Sequence, residues 1–190
     1  MLDAAWPTRI EIRPATPGDL TLVRAMHEAM SPENGYRRFF SLSKLSAGRE
    51  AERVCRAPAP DHAALLALRG SELVGAGTYE VTTEGSTAEV ALAVADDMHG
   101  RGVGTLLLEH LGSAACRQGV RTFTGPVLAE NAEMLKVFAG AGLTARRQMD
   151  DGVLGQVMHR GPPKDLARMT QGLCRQVRFR ADSERVVLQR

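Results

Sequence analysis

The chain has 190 residues, 44% of them apolar and 24% charged, with a formal net charge of +2. That is enough for one domain with a substantial core, and the near-neutral balance leaves no electrostatic footprint for nucleic acid. No apolar run approaches the ~20 residues that span a bilayer, and the well-separated Cys55, Cys116 and Cys174 form neither a disulfide framework nor a metal knuckle.

The first segment, RIEIRPA, alternates apolar and polar residues and predicts a strand. TPGDLTLVRAMHEAM follows with Leu20, Val23, Met26, His27 and Met30 at helical spacing, Thr16 as N-cap and Pro17 in the first turn. SPENGYRRFFS predicts a second short helix started by Ser31 and Pro32, and SAGREAERVCRA a further helical piece. HAALLALRGSELVGAGTYEV predicts two strands around a Gly-Ser turn. STAEVALAVADD is apolar at nearly every position after Glu89, as expected of a strand inside a sheet.

A helix over about 102–118 comes next, with Val103, Leu106, Leu107, His110, Leu111 and Ala114 on one face. VRTFTGPVL predicts a strand, and NAEMLKVFAGAGL a helix capped by Asn131 and closed by glycines. TARRQMD and VLGQVMHR are the last two strands, joined by DDG. The order predicts a single α/β domain over 9–160, with a central mixed sheet of six to seven strands flanked by helices.

GPP at 161–163 breaks the pattern. Residues 161–190 carry seven basic and three acidic side chains, whereas the preceding body is mildly acidic, so this segment reads as a basic C-terminal tail or linker. The first residues have neither a basic start nor an apolar stretch, so no signal peptide is expected, and the sparse cysteines suit a reduced, cytoplasmic protein. Of the 24 basic residues only three are lysine, which hints at a GC-rich bacterial genome. His27, His62, His110 and His159 lack metal-binding spacing, and no metal is expected.

The segment HGRGVG, His99 to Gly104, carries the chemistry. Three glycines at a helix entrance each cost about 1 kcal/mol relative to alanine within a helix, so they need a reason. A helix start offers unpaired N–H groups and the positive end of its dipole, and glycines admit a bulky anion to the backbone. No Lys-Ser/Thr pair follows Gly104, which excludes a Walker loop, and Thr105 stands where a dinucleotide fingerprint needs its third glycine. A flexible loop ahead of an ordinary helix is the plainer reading, but this geometry favours a phosphate on the backbone, with Arg101 able to add charge.

HGRGVG resembles the Q/R-x-x-G-x-G/A motif of the GCN5-related N-acetyltransferases, over a likeness spanning about residues 9–160. His99 departs from the glutamine or arginine usual there, which discounts a side-chain role at that position. The resemblance implies acetyl-CoA as cosubstrate, its pyrophosphate on Gly100, Arg101, Gly102, Val103, Gly104 and Thr105, and its pantetheine arm paired with the backbone of Leu92, Ala93 and Val94. Asn131 would contact the same arm, besides capping its helix.

SPENGYRRFFS and AEVALAV look, more narrowly, like the acetyltransferase domain of bacterial Pat-type protein lysine acetyltransferases, enzymes that modify acyl-CoA synthetases. That likeness implies a lysine acceptor and Glu89 as general base, with Glu80 and Glu84 behind it. Only about one free lysine in 10³ is neutral at pH 7, so a base is required. Many relatives carry a tyrosine acid where Phe138 stands, so no acid is assigned here. Cys116 has nothing nearby in sequence to activate it, which favours direct attack over an acyl-enzyme. Glu33, Asp150 and Asp151 would suit the border of a cleft for a cationic acceptor. A small-amine acetyltransferase and a non-catalytic acyl-CoA-binding module are the alternatives.

Overall fold

The computed structural model describes residues 10–39, 44–83, 85–127, 131–140, 146–150, 154–158 and 186–187. The chain opens with strand β1 (Ile10–Pro14), then helices α1 (Leu20–Glu28), α2 (Pro32–Phe39) and α3 (Lys44–Val54). An antiparallel run of β2 (His62–Arg69), β3 (Glu72–Val81) and β4 (Thr87–Val94) leads into helix α4 (Val103–Arg117). Short strands β5 (Thr122–Thr124) and β6 (Pro126–Val127) precede helix α5 (Ala132–Gly140) and the hairpin β7 (Arg146–Asp150) and β8 (Leu154–Met158). A two-residue strand β9 (Val186–Val187) pairs with β1.

The main sheet runs β5-β4-β3-β2-β1-β9, with β4 and β5 parallel and its other pairs antiparallel. This is the mixed α/β sheet the sequence predicts, but the count of six to seven strands needs correction. Five strands form its body, two residues of β9 edge it, and β6, β8 and β7 make a separate three-stranded sheet. The cause lies in Gly125 and Pro126. A Cβ on Gly125 would stand 2.7 Å from the Val90 carbonyl oxygen, and Pro126 has no N–H to continue a ladder. The expected single strand VRTFTGPVL therefore divides, and its second half joins β8.

Alternation along β4 builds two cores. Val90 and Leu92 pack with Leu107, Leu111 and Phe123 on the α4 face. Ala93 packs with Val23, Met26, Ala51 and Leu66 on the α1 and α3 face. Helix α4 lies close on β3, because Gly75 and Gly77 leave room for it: a Cβ on Gly77 would stand 2.9 Å from Leu111 Cδ1, and one on Gly75 3.0 Å from Val103 Cγ1. The buried stripe of α4 is turned from the expected face. Leu108 and Ala115 are buried, whereas Leu106, His110 and Ala114 are only partly so.

The start of α1 rests on a buried carboxylate. Asp19 accepts from both terminal nitrogens of Arg13, at 2.6 and 2.8 Å, and from the Thr16 N–H and hydroxyl, both at 2.8 Å. The Arg13 hydrogen bonds, outweighing the cost of burial, hold the Asp19 carboxyl well below the usual carboxylate range. A depressed folded-state pKa stabilises above the unfolded value and loses that stabilisation as pH falls below it. Asp19→Asn is therefore expected to lower stability by about 2 kcal/mol at pH 7. Urea unfolding at pH 7 and pH 3 checks this: the gap to wild type should narrow at the lower pH.

Candidate acetyl-CoA site

The predicted glycine segment forms a turn and then a helix start. After a 3-10 turn at Asp96–Met98, Gly100 and Gly102 adopt φ of +71° and +82°, and α4 begins at Val103. These left-handed conformations strain any residue with a Cβ, which is why glycine stands at both positions. Leu106 N–H bonds the Gly102 carbonyl at 2.9 Å, closing the first helical turn. Among the described residues, the N–H groups of Gly102, Val103, Gly104 and Thr105 meet no protein acceptor. Four unpaired donors at the positive end of a 15-residue helix fit a bound phosphate.

The cradle opens into a cleft of about 300 Å³. The cleft brings together Leu92, Ala93 and Val94 from β4, Gly100, Gly102, Val103, Gly104 and Thr105 from the cradle, and Asn131 from α5. Arg101 is exposed and outside the lining, and its N–H is turned to the Met98 carbonyl at 3.4 Å. Asn131 Oδ1 accepts the Met134 N–H at 3.1 Å, so Asn131 is an N-cap that also faces the cleft.

The second feature is a parting of strands. The β4–β5 pairing stops at Glu89 opposite Thr124, five residues before β4 ends. Ala95 N–H bonds Val74 on β3, so the polar groups of Val94, one residue earlier, point the other way. The same alternation turns the Leu92 N–H and carbonyl toward the gap. The Val94 carbonyl accepts from Asn34 Nδ2 at 2.9 Å and lies 3.1 Å from His99 Nε2, which leaves the Val94 N–H as the group offered there. An open strand edge of this kind suits an extended arm that pairs by backbone hydrogen bonds.

Glu89 is not in the cleft lining. It stands at the vertex where β4 and β5 part, opposite Glu80 on β3, with its side chain 47% exposed and 4.0 Å from Arg53 Nη2. Arg53 is the hub of a charged cluster beneath that vertex. Its Nε donates to Glu80 at 2.6 Å, its Nη1 lies 3.9 Å from Glu50, and Glu50 also pairs with Arg38. Burial opposes ionisation of Glu80, but the Arg53 hydrogen bond and the charges of Arg53 and Arg56 outweigh it and hold its pKa below the usual value. Glu80 is therefore committed to Arg53 as an ion-pair partner. Glu84 lies outside the described residues.

Phe138 is 2% exposed and packed in the α4-side core, so it offers no acid to the cleft. Cys116 is exposed near the end of α4, outside the lining. Glu33 is exposed and pairs with Arg37 at 2.5 Å, Asp150 lies in β7, and Asp151 falls outside the described residues. No group of side chains suited to a metal occurs among the described residues.

Sequence reasoning missed one wall of the cleft. Asn34, Arg37 and Arg38 reach it from α2. Helix α2 is fixed there because Asp96 accepts from the Ser31 N–H at 2.9 Å and the Ser31 hydroxyl at 2.7 Å. His99 and Glu133 were also missed, and they lie against each other across the cleft. The available signal was the polar Ser31 start of α2 and a histidine beside the first cradle glycine.

The model of the acetyltransferase (GNAT) family matches residues 24–142. Acetyltransferase Pat of Mycolicibacterium smegmatis is 31% identical over 88% of this chain, and the chain spans half the length of that relative. The GNAT domain of S. lividans PAT shares 32% identity and a TM-score of 0.70, covering 77% of this chain and 88% of that one. PaiA N-acetyltransferase from Thermoplasma acidophilum, solved in complex with coenzyme A, has a TM-score of 0.61 at 18% identity, over 80% of this chain and 99% of that one. With the family match over most of the chain, and the glycine cradle within it, this chain belongs to the acetyltransferase (GNAT) family.

Proposed function

We propose that the chain transfers an acetyl group from acetyl-CoA to the ε-amine of a protein lysine, by direct attack with Glu89 as general base. The observation that carries the reading is the meeting of an anion cradle and an open strand edge in one cleft. Acetyl-CoA supplies the acetyl thioester. The amides of Gly102 to Thr105 would hold its pyrophosphate, with Arg101 adding charge nearby, and the backbone of Leu92 and Val94 its extended arm, alongside Ala93 and Asn131.

Glu89 would accept the proton of the attacking ammonium. It stands three residues, about 10 Å, from Leu92 along the strand, so the proton reaches it through water. The amine nitrogen bonds to the carbonyl carbon, and an N–H of β4 near Val94 meets the oxygen's growing charge. As the carbon–sulfur bond breaks, the departing thiolate takes its proton from solvent, since a thiol pKa near 8.5 requires no strong acid.

Within this proposal the acetyltransferase domain spans 9–160, and 161–190 follow as a basic segment. Val186 and Val187, the part of that segment described, lie on β1, at the opposite side of the sheet from β4 and β5. An acyl-CoA synthetase is the acceptor class that the Pat-type likeness suggests, and a bacterial cytoplasm the setting. No described helix is long and apolar enough to cross a membrane.

The test is to incubate the protein with radiolabelled acetyl-CoA and a bacterial lysate. Label is expected in protein, on lysine. Label confined to small molecules would overturn the lysine acceptor, and no transfer to either would overturn the catalytic reading.

A further inference from the structure

His99 joins three parts of the cleft. Its Nε2 lies 3.1 Å from the Val94 carbonyl at the end of β4. Its Nδ1 lies 3.0 Å from Glu133 Oε2 in the first turn of α5. Gly100 of the cradle is the next residue along the chain. The Val94 carbonyl also holds Asn34 of α2, so one carbonyl ties two walls of the cleft, and His99 extends that tie to the third.

Both partners of the imidazole are acceptors. A neutral imidazole has one N–H and one lone pair, so it satisfies one partner and turns its lone pair on the other. Only the imidazolium, with a proton on each nitrogen, suits a carbonyl on one side and a carboxylate on the other. We propose that His99 is a positioning residue for acetyl-CoA. Protonated, it clamps α5 to β4 and sets the cradle that begins beside it, so that affinity rises on its protonation. The proposal rests on the reading of this cleft as the acetyl-CoA site.

Glu133 and Asp96 are the charged groups that interact with His99, and Lys136 on α5 and Arg37 and Arg38 on α2 line the same cleft. Among these side chains and His99 itself, histidine is the type that ordinarily titrates between pH 5 and 8. The sign follows. The clamp is complete when both ring nitrogens carry protons, and loss of the Nδ1 proton would release Glu133. A half-exposed ion pair of this kind is worth roughly fivefold in affinity.

The test is calorimetry of acetyl-CoA binding to the full chain between pH 6 and 8.5, with folding checked by circular dichroism. The ligand's own phosphate titrates in this range, so each variant is read as a ratio to wild type with the same ligand. His99→Gln keeps a donor for Val94 and loses the charge. It is expected to bind about fivefold more weakly than wild type at pH 6 and equally at pH 8.5. His99→Arg, a permanent cation, should bind as wild type does at pH 6 and more tightly at pH 8.5. Glu133→Gln, at a half-exposed surface position, should match His99→Gln in pH dependence and serves if the latter does not fold. Ratios that stay constant with pH would overturn the role of His99 while leaving the cleft's assignment intact. Wild type that binds no acetyl-CoA at either pH would overturn the assignment itself.

Discussion

Glu89→Gln is expected to bind acetyl-CoA about as wild type does and to lose 10² to 10⁴ in turnover at pH 7, the usual worth of a general base. Binding should survive because Glu89 is outside the cleft lining, at the vertex of β4 and β5. The amide keeps the size of the side chain and can still lie beside Arg53, whose strongest contact is Glu80 at 2.6 Å rather than Glu89 at 4.0 Å. Folding should therefore be little changed. What the amide cannot do is take a proton.

The pH series of kcat/KM with a lysine-containing acceptor separates this role from a structural one. A missing base matters most where the amine is protonated, so the deficit should shrink as pH approaches the lysine pKa of ~10.4. A carboxylate needed only for structure would lower activity at every pH. A mutant that keeps more than about half its activity at pH 7 would leave Glu89 without a catalytic part.

Local signals were legible in the sequence, and tertiary ones were not. The cradle is local: glycines at 100, 102 and 104, followed by apolar residues at helical spacing, mark one turn and one helix start. Asn131 is local too, since an N-cap is set by its own helix. The wall supplied by α2 is not. Asn34 meets Val94 across 60 residues, and nothing in PENGYRRF states which way that helix faces. The parting of β4 from β5 had a signal in Gly125-Pro126, because a residue without N–H cannot continue a ladder. Treating VRTFTGPVL as one strand passed over it, and the inflated strand count followed.

The stripe of α4 shows a second limit. Periodicity locates an amphipathic helix but fixes its rotation only to within a residue or so, because Leu106, Leu107 and Leu108 are all apolar. Packing decided it. The gaps left by Gly75 and Gly77 receive Val103, Leu107 and Leu111, which leaves Leu106 only partly buried at the border of the core. His99 shows a third. It was discounted because it departs from a family pattern, yet its side chain lies between two walls of the cleft, where its partners and not its residue type define its part.

Gly102→Val is expected to abolish measurable acetyl-CoA binding in a protein that still folds. Nothing lies within 4 Å of a Cβ built at Gly102, so the added side chain meets no steric wall. The obstacle is the backbone itself, at φ +82°. A β-branched residue resists that conformation at a cost of roughly 1–2 kcal/mol, and the loop relieves it by rotating away. Rotation at the N-cap redirects the amides of Gly102 and Val103, two of the four unpaired donors. Each hydrogen bond to a charged oxygen is worth about 1.5–3 kcal/mol, so losing two weakens binding by on the order of 10² to 10⁴. Calorimetry should then record no heat of binding, while circular dichroism and a melting curve show a folded protein a few degrees less stable. The core beneath the loop should hold, because Val103, Leu107 and Leu111 are anchored on β3 rather than by the turn. Unchanged affinity in the folded variant would remove the anion cradle, and with it the main physical reason for placing acetyl-CoA in this cleft.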